Sequence, residues 1–353
     1  MSSWKELKSK LFTSAYNQKI PIGVSFELTP RCNLRCKMCY VRHSLNDQST
    51  KERELTTEQW LQLAQEAKDA GMLFLALTGG EVLLREDFKL LYENFVNMGL
   101  MVQFISNGTM ITSEIVDFLA ALPPYRVDIS LYGASAATYQ KVTGYGAGFD
   151  KALHAIDSLL NKGIATAIRT TLIKENKDDF DALFDLAQQR QLDLGLVSYI
   201  FPAREKIDSD PQSNRLHPKD LAFFLKRADQ RYKEAGDEKS KPESLSKTSL
   251  VDGSAFSCHG GSCTCWLTWT GKMLPCGLFD APDISPLKVG FKNAWAELKE
   301  FCHTIPIAQE CNLCRFKDRC GHCPARLYRE TGTYNKPAPY LCTLAQASDA
   351  IKA

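Results

Sequence analysis

Six short apolar runs, each followed by a stretch with helical spacing, constrain this chain more than any other feature. The candidate strands are 23–28, 73–77, 102–105, 126–131, 165–172 and 194–200. Helical patterns at 58–70, 87–98, 113–122, 149–161, 178–189 and 218–234 separate and follow them. Thr56 and Gln59 form a capping box before the first of these helices. Strands that alternate with helices require a parallel sheet with helical crossovers. The expected α/β fold is a partial (β/α)6 TIM-type barrel; the count of repeats stops short of a complete eight-fold one. In such barrels chemistry sits on the loops after the strand C-termini.

The chain has 353 residues, long enough for this barrel and a smaller domain. Four stretches are expected: an N-terminal segment 1–21, the barrel 22–235, a polar linker 236–256 and a small domain 257–353. The 43 basic and 41 acidic residues leave a net charge of +2, with no electrostatic footprint for nucleic acid or a membrane surface. The first residues are charged and lack an apolar signal core, and no run approaches the roughly 20 apolar residues of a membrane helix. A cytoplasmic location is expected.

Thirteen cysteines need a reason. Three lie between 32 and 39 and ten between 258 and 342, in the tight groups that metal ligands form rather than the even spread of disulfides. Cys32, Cys36 and Cys39 follow the first candidate strand. Three thiolates on one loop suit three irons of a cubane and leave the fourth iron open, whereas structural metal sites close every position. The plainer alternative is a zinc knuckle or unliganded thiols. In its spacing, with the apolar Met38 before the last cysteine, the loop resembles the CxxxCxxC signature of the radical SAM enzymes.

Further turns carry the same resemblance. Thr78-Gly79-Gly80-Glu81 ends the second strand and is similar to the family's GGE motif, which implies a seat for the amino group of S-adenosylmethionine (SAM). Val82 stands where proline is usual. Ser106-Asn107-Gly108 resembles the T-N-G turn, and Ser130-Leu131-Tyr132-Gly133 the S-L-D-G turn. The likeness implies that Ser130 contacts the SAM carboxylate or ribose, that Ser106 or Asn107 lies nearby, and that Met38 lies against the adenine. Arg169 is a further candidate for the SAM carboxylate or the substrate. Read by themselves, these residues are ordinary turn formers and a core methionine.

The tail runs Cys311-x2-Cys314-x5-Cys320-x2-Cys323, then Cys342, after Cys258, Cys263, Cys265 and Gly271-x4-Cys276. This is similar to the SPASM extension of radical SAM enzymes, with one residue fewer in the last gap. The resemblance implies two auxiliary 4Fe–4S clusters, hence three clusters in all. Cys258, Cys263, Cys276 and Cys323 would hold one, and Cys311, Cys314, Cys320 and Cys342 the other. Cys265 is an alternative to Cys263, Cys302 is expected free, and two zinc sites would satisfy the same spacings. The tail shows few helical periods. The histidines are expected mostly at surfaces and turns, and Trp266, Trp269 and Trp295 in the core.

The family likeness implies an oxidoreductase that makes a 5′-deoxyadenosyl radical. The first expectation is a crosslink, epimerisation or other oxidative change in a ribosomally made peptide, with electrons from a flavodoxin or ferredoxin. A separate protein or the surface of the SPASM extension is expected to grip any leader peptide, because only about 20 residues precede the first strand. Maturase-like action on a protein side chain or small cofactor precursor is the alternative. The maturases place an aspartate after the cysteine of G-x4-C, and this chain has Gly277 there. An iron–sulfur or zinc protein without SAM chemistry is the reading from another class.

Overall fold

A computed structural model describes residues 3–204, 210–235, 255–256, 258–317 and 320–351. Most of the expected linker 236–256 lies outside the described residues. Six parallel strands follow the alternation: β1 Gly23–Thr29, β2 Phe74–Gly79, β3 Met101–Ser106, β4 Arg126–Ser130, β5 Thr166–Thr171 and β6 Leu194–Val197. Two more come from the tail, β7 Thr264–Leu267 and β8 Met273–Leu274. The order across the sheet is β8-β7-β1-β2-β3-β4-β5-β6, with β7 parallel to β1 and β8 antiparallel to β7. A partial TIM-type barrel is therefore the fold, and its first strand is covered by the tail.

Alternation sorts the side chains of each strand. Val24, Phe26, Leu75, Leu77, Val102, Phe104, Val127 and Ile129 join one buried core with the helices outside. Ser25, Glu27, Asp128 and Ser130 occupy the opposite parity and give the lumen its polar groups. The outer helices start at side-chain caps: Thr56 for α2 (Thr57–Asp69) and Thr112 for α4 (Ser113–Ala121), with α3 (Phe88–Asn97) between them. An N-terminal helix, α1 (Trp4–Gln18), opens on a Ser3–Glu6 capping box, and its Lys8 lies over the rings of Phe74 and Tyr125.

Three expectations are corrected. The sixth strand stops at Val197 instead of residue 200, because Tyr199 and Ile200 turn off the sheet to be buried elsewhere. The tail is richer in helix than its composition suggests. Beyond the earlier helices α5 (Ala136–Thr143), α6 (Gly148–Asn161), α7 (Phe180–Gln189) and α8 (Pro218–Glu234), it contains α9 (Phe291–Thr304), α10 (Pro324–Thr331) and α11 (Pro339–Ala350). Proline at the first turn starts α10 and α11, and glycine ends α10, so the residues that suggested loops are helix boundaries. Finally, His43 is no surface residue: its ring packs edge-on to Trp269, and Nδ1 lies 3.0 Å from Thr50 Oγ1.

Candidate functional site

The turn after β1 carries Cys32, Cys36 and Cys39 and is anchored from two sides. Arg35 N and Lys37 N donate to Thr143 O and Val142 O at the end of α5, at 2.8 and 3.0 Å. Gly80 N and Glu81 N donate to Thr29 O and Arg31 O, at 2.7 and 2.9 Å. A Cβ at Gly79 would stand 2.1 Å from Thr29 O, and one at Gly80 2.2 Å from Arg31 O. The two glycines are thus required by the approach of the cysteine turn itself. Beneath it, Glu54 takes both Nε and Nη2 of Arg31, at 2.7 and 3.0 Å, and pairs with Arg85. Arg85 in turn donates to Asp87 and to Leu28 O and Leu55 O.

All three thiols of the turn are held above the ordinary cysteine value. Burial pushes Cys32 up to about 12, with Glu81 and Cys39 adding to the rise. Burial also raises Cys36, and Cys32 and Cys39 raise it further. The buried Arg42 guanidinium opposes the rise at Cys36 and Cys39. Three such thiols repel one another's thiolates unless a cation binds them together. Met38 packs with Val142, Ile173 and Ile200, and Tyr132 and Cys36 border that cluster.

The other strand ends converge here. Glu81, fully buried, accepts from Ser106 Oγ at 2.9 Å, Asn107 N at 2.8 Å and Leu83 N at 3.2 Å. Its carboxylate braces the third strand's turn instead of standing open to a ligand amine. Asn107 Nδ2 donates to Asn33 Oδ1 at 2.8 Å beside Cys32. Ser130 hydrogen-bonds Tyr132, a phenol raised first by burial and then by Cys36. Thr78 is buried near the end of β2. Arg169 Nε donates to Asp128 Oδ2 at 3.3 Å. Tyr139 was not singled out by sequence. Its buried hydroxyl has no hydrogen-bond partner and lies in the field of Cys36, Tyr132, Glu81 and Cys32. A buried orphan hydroxyl in the field of two of the turn's thiols suits a polar ligand, so the residues fit a cluster with a bound small molecule.

The tail cysteines fall into two groups. Cys311, Cys314, Cys320 and Cys342 line one cavity of about 440 Å³ with Phe316 and His322. Burial raises Cys320 to about 11, and the other three add to it. In the second group, burial raises Cys276, with Cys323 and Cys258 adding. Cys263 and Cys302 are each pushed up to about 12, by burial and then, among the cysteines, by Cys258 alone. Cys302, expected to stand apart, thus adjoins this group; its Sγ lies where a Cβ at Gly261 would come within 2.3 Å. Cys265 faces the helix-side core, raised by burial alone, and is not a member. Among the described residues no three histidine, cysteine or carboxylate groups converge closely enough for a single metal ion. A cubane spreads its protein sulfurs farther apart than one tetrahedral ion does.

Comparisons with known proteins agree with this geometry. The model of the radical SAM superfamily matches residues 26–187. The AdoMet-dependent heme synthase of Methanosarcina barkeri is 28% identical over 341 residues, covering 91% of this chain and 96% of that protein. The mycofactocin maturase MftC of Mycolicibacterium smegmatis is 34% identical over 168 residues, 47% of this chain and 42% of that protein. Streptococcus suis SuiB bound to S-adenosylmethionine superposes with a TM-score of 0.71 at 14% identity, covering 95% of this chain and 81% of that one. At that identity the likeness shows the fold alone, here that of SPASM-type radical SAM enzymes. Among the described residues no helix is long and apolar enough to cross a membrane. With its cysteine turn and its braced strand ends, this chain carries a radical SAM domain over residues 26–187 and is an enzyme.

Proposed function

We propose that this enzyme oxidises a cofactor precursor of the tetrapyrrole class. In this reading Cys32, Cys36 and Cys39 hold a SAM-binding 4Fe–4S cluster and the tail cysteines hold two auxiliary ones. The observation that carries the substrate class is the reach of the likeness. It runs through the cysteine-rich tail for the M. barkeri heme synthase, whereas the peptide-modifying relatives match about half the chain. The M. barkeri Fe-coproporphyrin III synthase, also of tetrapyrrole chemistry by name, is 30% identical over 188 residues. Packing at Gly277 supports the same direction. A Cβ there would meet the Trp266 indole at 2.9 Å, so the aspartate of the maturases has no room.

Bound at the cysteine turn, a reduced cluster and SAM supply one chemistry, a 5′-deoxyadenosyl radical that removes hydrogen from an unactivated carbon. The chain's own residues hold the ligands and keep water out. Arg42 offsets the thiolate charge, Glu81 and Asn107 fix the strand-end turns, and Met38, Val142, Ile173 and Ile200 form a dry wall. Thr78, Gly79, Gly80, Ser106, Ser130 and Arg169 remain the candidate SAM contacts. Of these, the backbone carbonyls of the glycine turn suit the amino group better than the enclosed Glu81 carboxylate.

The test is anaerobic reconstitution to about twelve irons per chain, the content of three cubanes, followed by dithionite and SAM with Fe-coproporphyrin III as the offered tetrapyrrole. Formation of 5′-deoxyadenosine together with a mass change in the tetrapyrrole is expected. Turnover with no change in the tetrapyrrole would remove the substrate class, and no 5′-deoxyadenosine would remove the mechanism. The half-length likeness to MftC and the PqqA peptide cyclases favours a second reading, modification of a precursor peptide delivered by a separate leader-binding protein. A flavodoxin or ferredoxin is the proposed electron donor in both.

A further inference from the structure

The barrel lumen holds a charge pair with no part in the site as described so far. Glu27, on β1, is fully buried, and the Arg204 side chain that meets it is 3% exposed. Arg204 Nη2 donates to Glu27 Oε1 at 2.5 Å, and Nη1 donates to Oε2 at 2.8 Å. Trp266 Nε1, from β7, also donates to Oε2 at 2.8 Å. Buried ion pairs are poor sources of net stability, because desolvation consumes much of the Coulomb gain. What this pair does is geometric.

Arg204 joins two segments that otherwise belong to opposite ends of the sequence. Its Nη1 reaches Gly277 O at 3.3 Å, and its backbone N donates to Tyr40 O at 3.0 Å. Tyr40 follows Cys39, and Gly277 follows Cys276. Gly277 is also packed against the Trp266 indole, so a tail side chain that anchors Glu27 fixes the same residue sterically. Tyr40, raised by burial, feels Arg204, Glu27, Cys39 and Cys276 together, as expected of a residue between the two cysteine groups.

We propose that Arg204, held by Glu27, is the positioning residue that registers Cys276 against Cys39, and so sets the path from the reacting substrate to the first auxiliary cluster. A 4Fe–4S cluster held at Cys276 would, when oxidised, accept the one electron that the substrate radical gives up, which would complete the two-electron oxidation begun by hydrogen abstraction. The electron path rests on the proposed function; the registration of the two segments does not.

Two variants of the reconstituted enzyme test this. Arg204→Lys keeps a cation opposite Glu27 but lacks the fork that also reaches Gly277. The double variant Glu27→Met with Arg204→Met removes both charges at once and keeps the volume filled. With iron content unchanged, amide hydrogen exchange at 39–42 and 276–278 is expected to rise together by about tenfold in both, while α2 is unaffected. The yield of product per 5′-deoxyadenosine is expected to fall by about fivefold or more. Unchanged exchange at either segment overturns the registration. Product and 5′-deoxyadenosine falling in equal proportion overturns the electron path. A wild type that forms no 5′-deoxyadenosine refutes the proposed function instead, and exchange still decides the registration.

Discussion

The Ser106 hydroxyl donates to Glu81 Oε1 at 2.9 Å, inside a pocket that leaves Glu81 no exposed surface. Burial lifts Glu81 to about 7, against the three hydrogen bonds that favour its charged form. A raised acid stabilises the fold below its unfolded value near 4.5, and that contribution is lost as pH rises through about 7. Glu81→Gln keeps the shape and cannot ionise. The stability of wild type relative to Glu81→Gln should therefore decline between about pH 4.5 and 7 and then level off, by thermal melts of the apo-protein. A flat difference would count against a buried acid that titrates there.

Glu54 is the carboxylate that takes both Nε and Nη2 of Arg31 and lies 3.7 Å from Arg85, and all three side chains are under 10% exposed. Glu54→Gln leaves the buried Arg31 guanidinium short of its countercharge, while Arg85 keeps Asp87. A loss of about 3–5 kcal/mol is expected, read as a lower denaturant midpoint. Because Arg31 adjoins Cys32 and Arg85 follows the glycine turn, iron retention should fall with it.

At Gly277 even one methyl group presses on the Trp266 ring. Gly277→Ala should cost about 1–3 kcal/mol by overpacking. Gly277→Asp should be worse and should confer no maturase activity on a sulfatase-derived peptide. Formation of formylglycine by that variant would show that the ring can move aside.

The two cysteine regions should separate in kinetics. Cys36→Ala is expected to abolish SAM cleavage, whereas Cys314→Ala should spare part of it and stop product formation, measured as 5′-deoxyadenosine against product. Equal losses would deny the tail cysteines a role of their own.

The barrel was legible because its signals are local. Strand periodicity, the Thr56–Gln59 capping box and the Cys32–Cys39 spacing each lie within about a dozen residues. Long-range placements were not. Cys263 and Cys265 are equivalent in the sequence, and only the pairing of β7 with β1 turns Cys265 toward the helices. Cys302 reads as an isolated thiol until α9 brings it to Gly261. Glu81 reads as part of a motif that seats the SAM amino group, and nothing local reveals that Asn107 and Ser106 enclose its carboxylate. Glu27 left a trace, a charge at an inward position of an apolar strand, but nothing near Arg204 marks its partner.

Strand β1 waits for a neighbour encoded far downstream: Gly23 pairs with Thr264, 241 positions later. On the ribosome, then, the first strand of the barrel emerges early and keeps one rim unpaired until most of the chain has been translated. Such a rim invites mispairing with other nascent chains. Slow translation ahead of the tail, or a shortage of chaperones, should therefore reduce the soluble yield of this enzyme before any iron is involved.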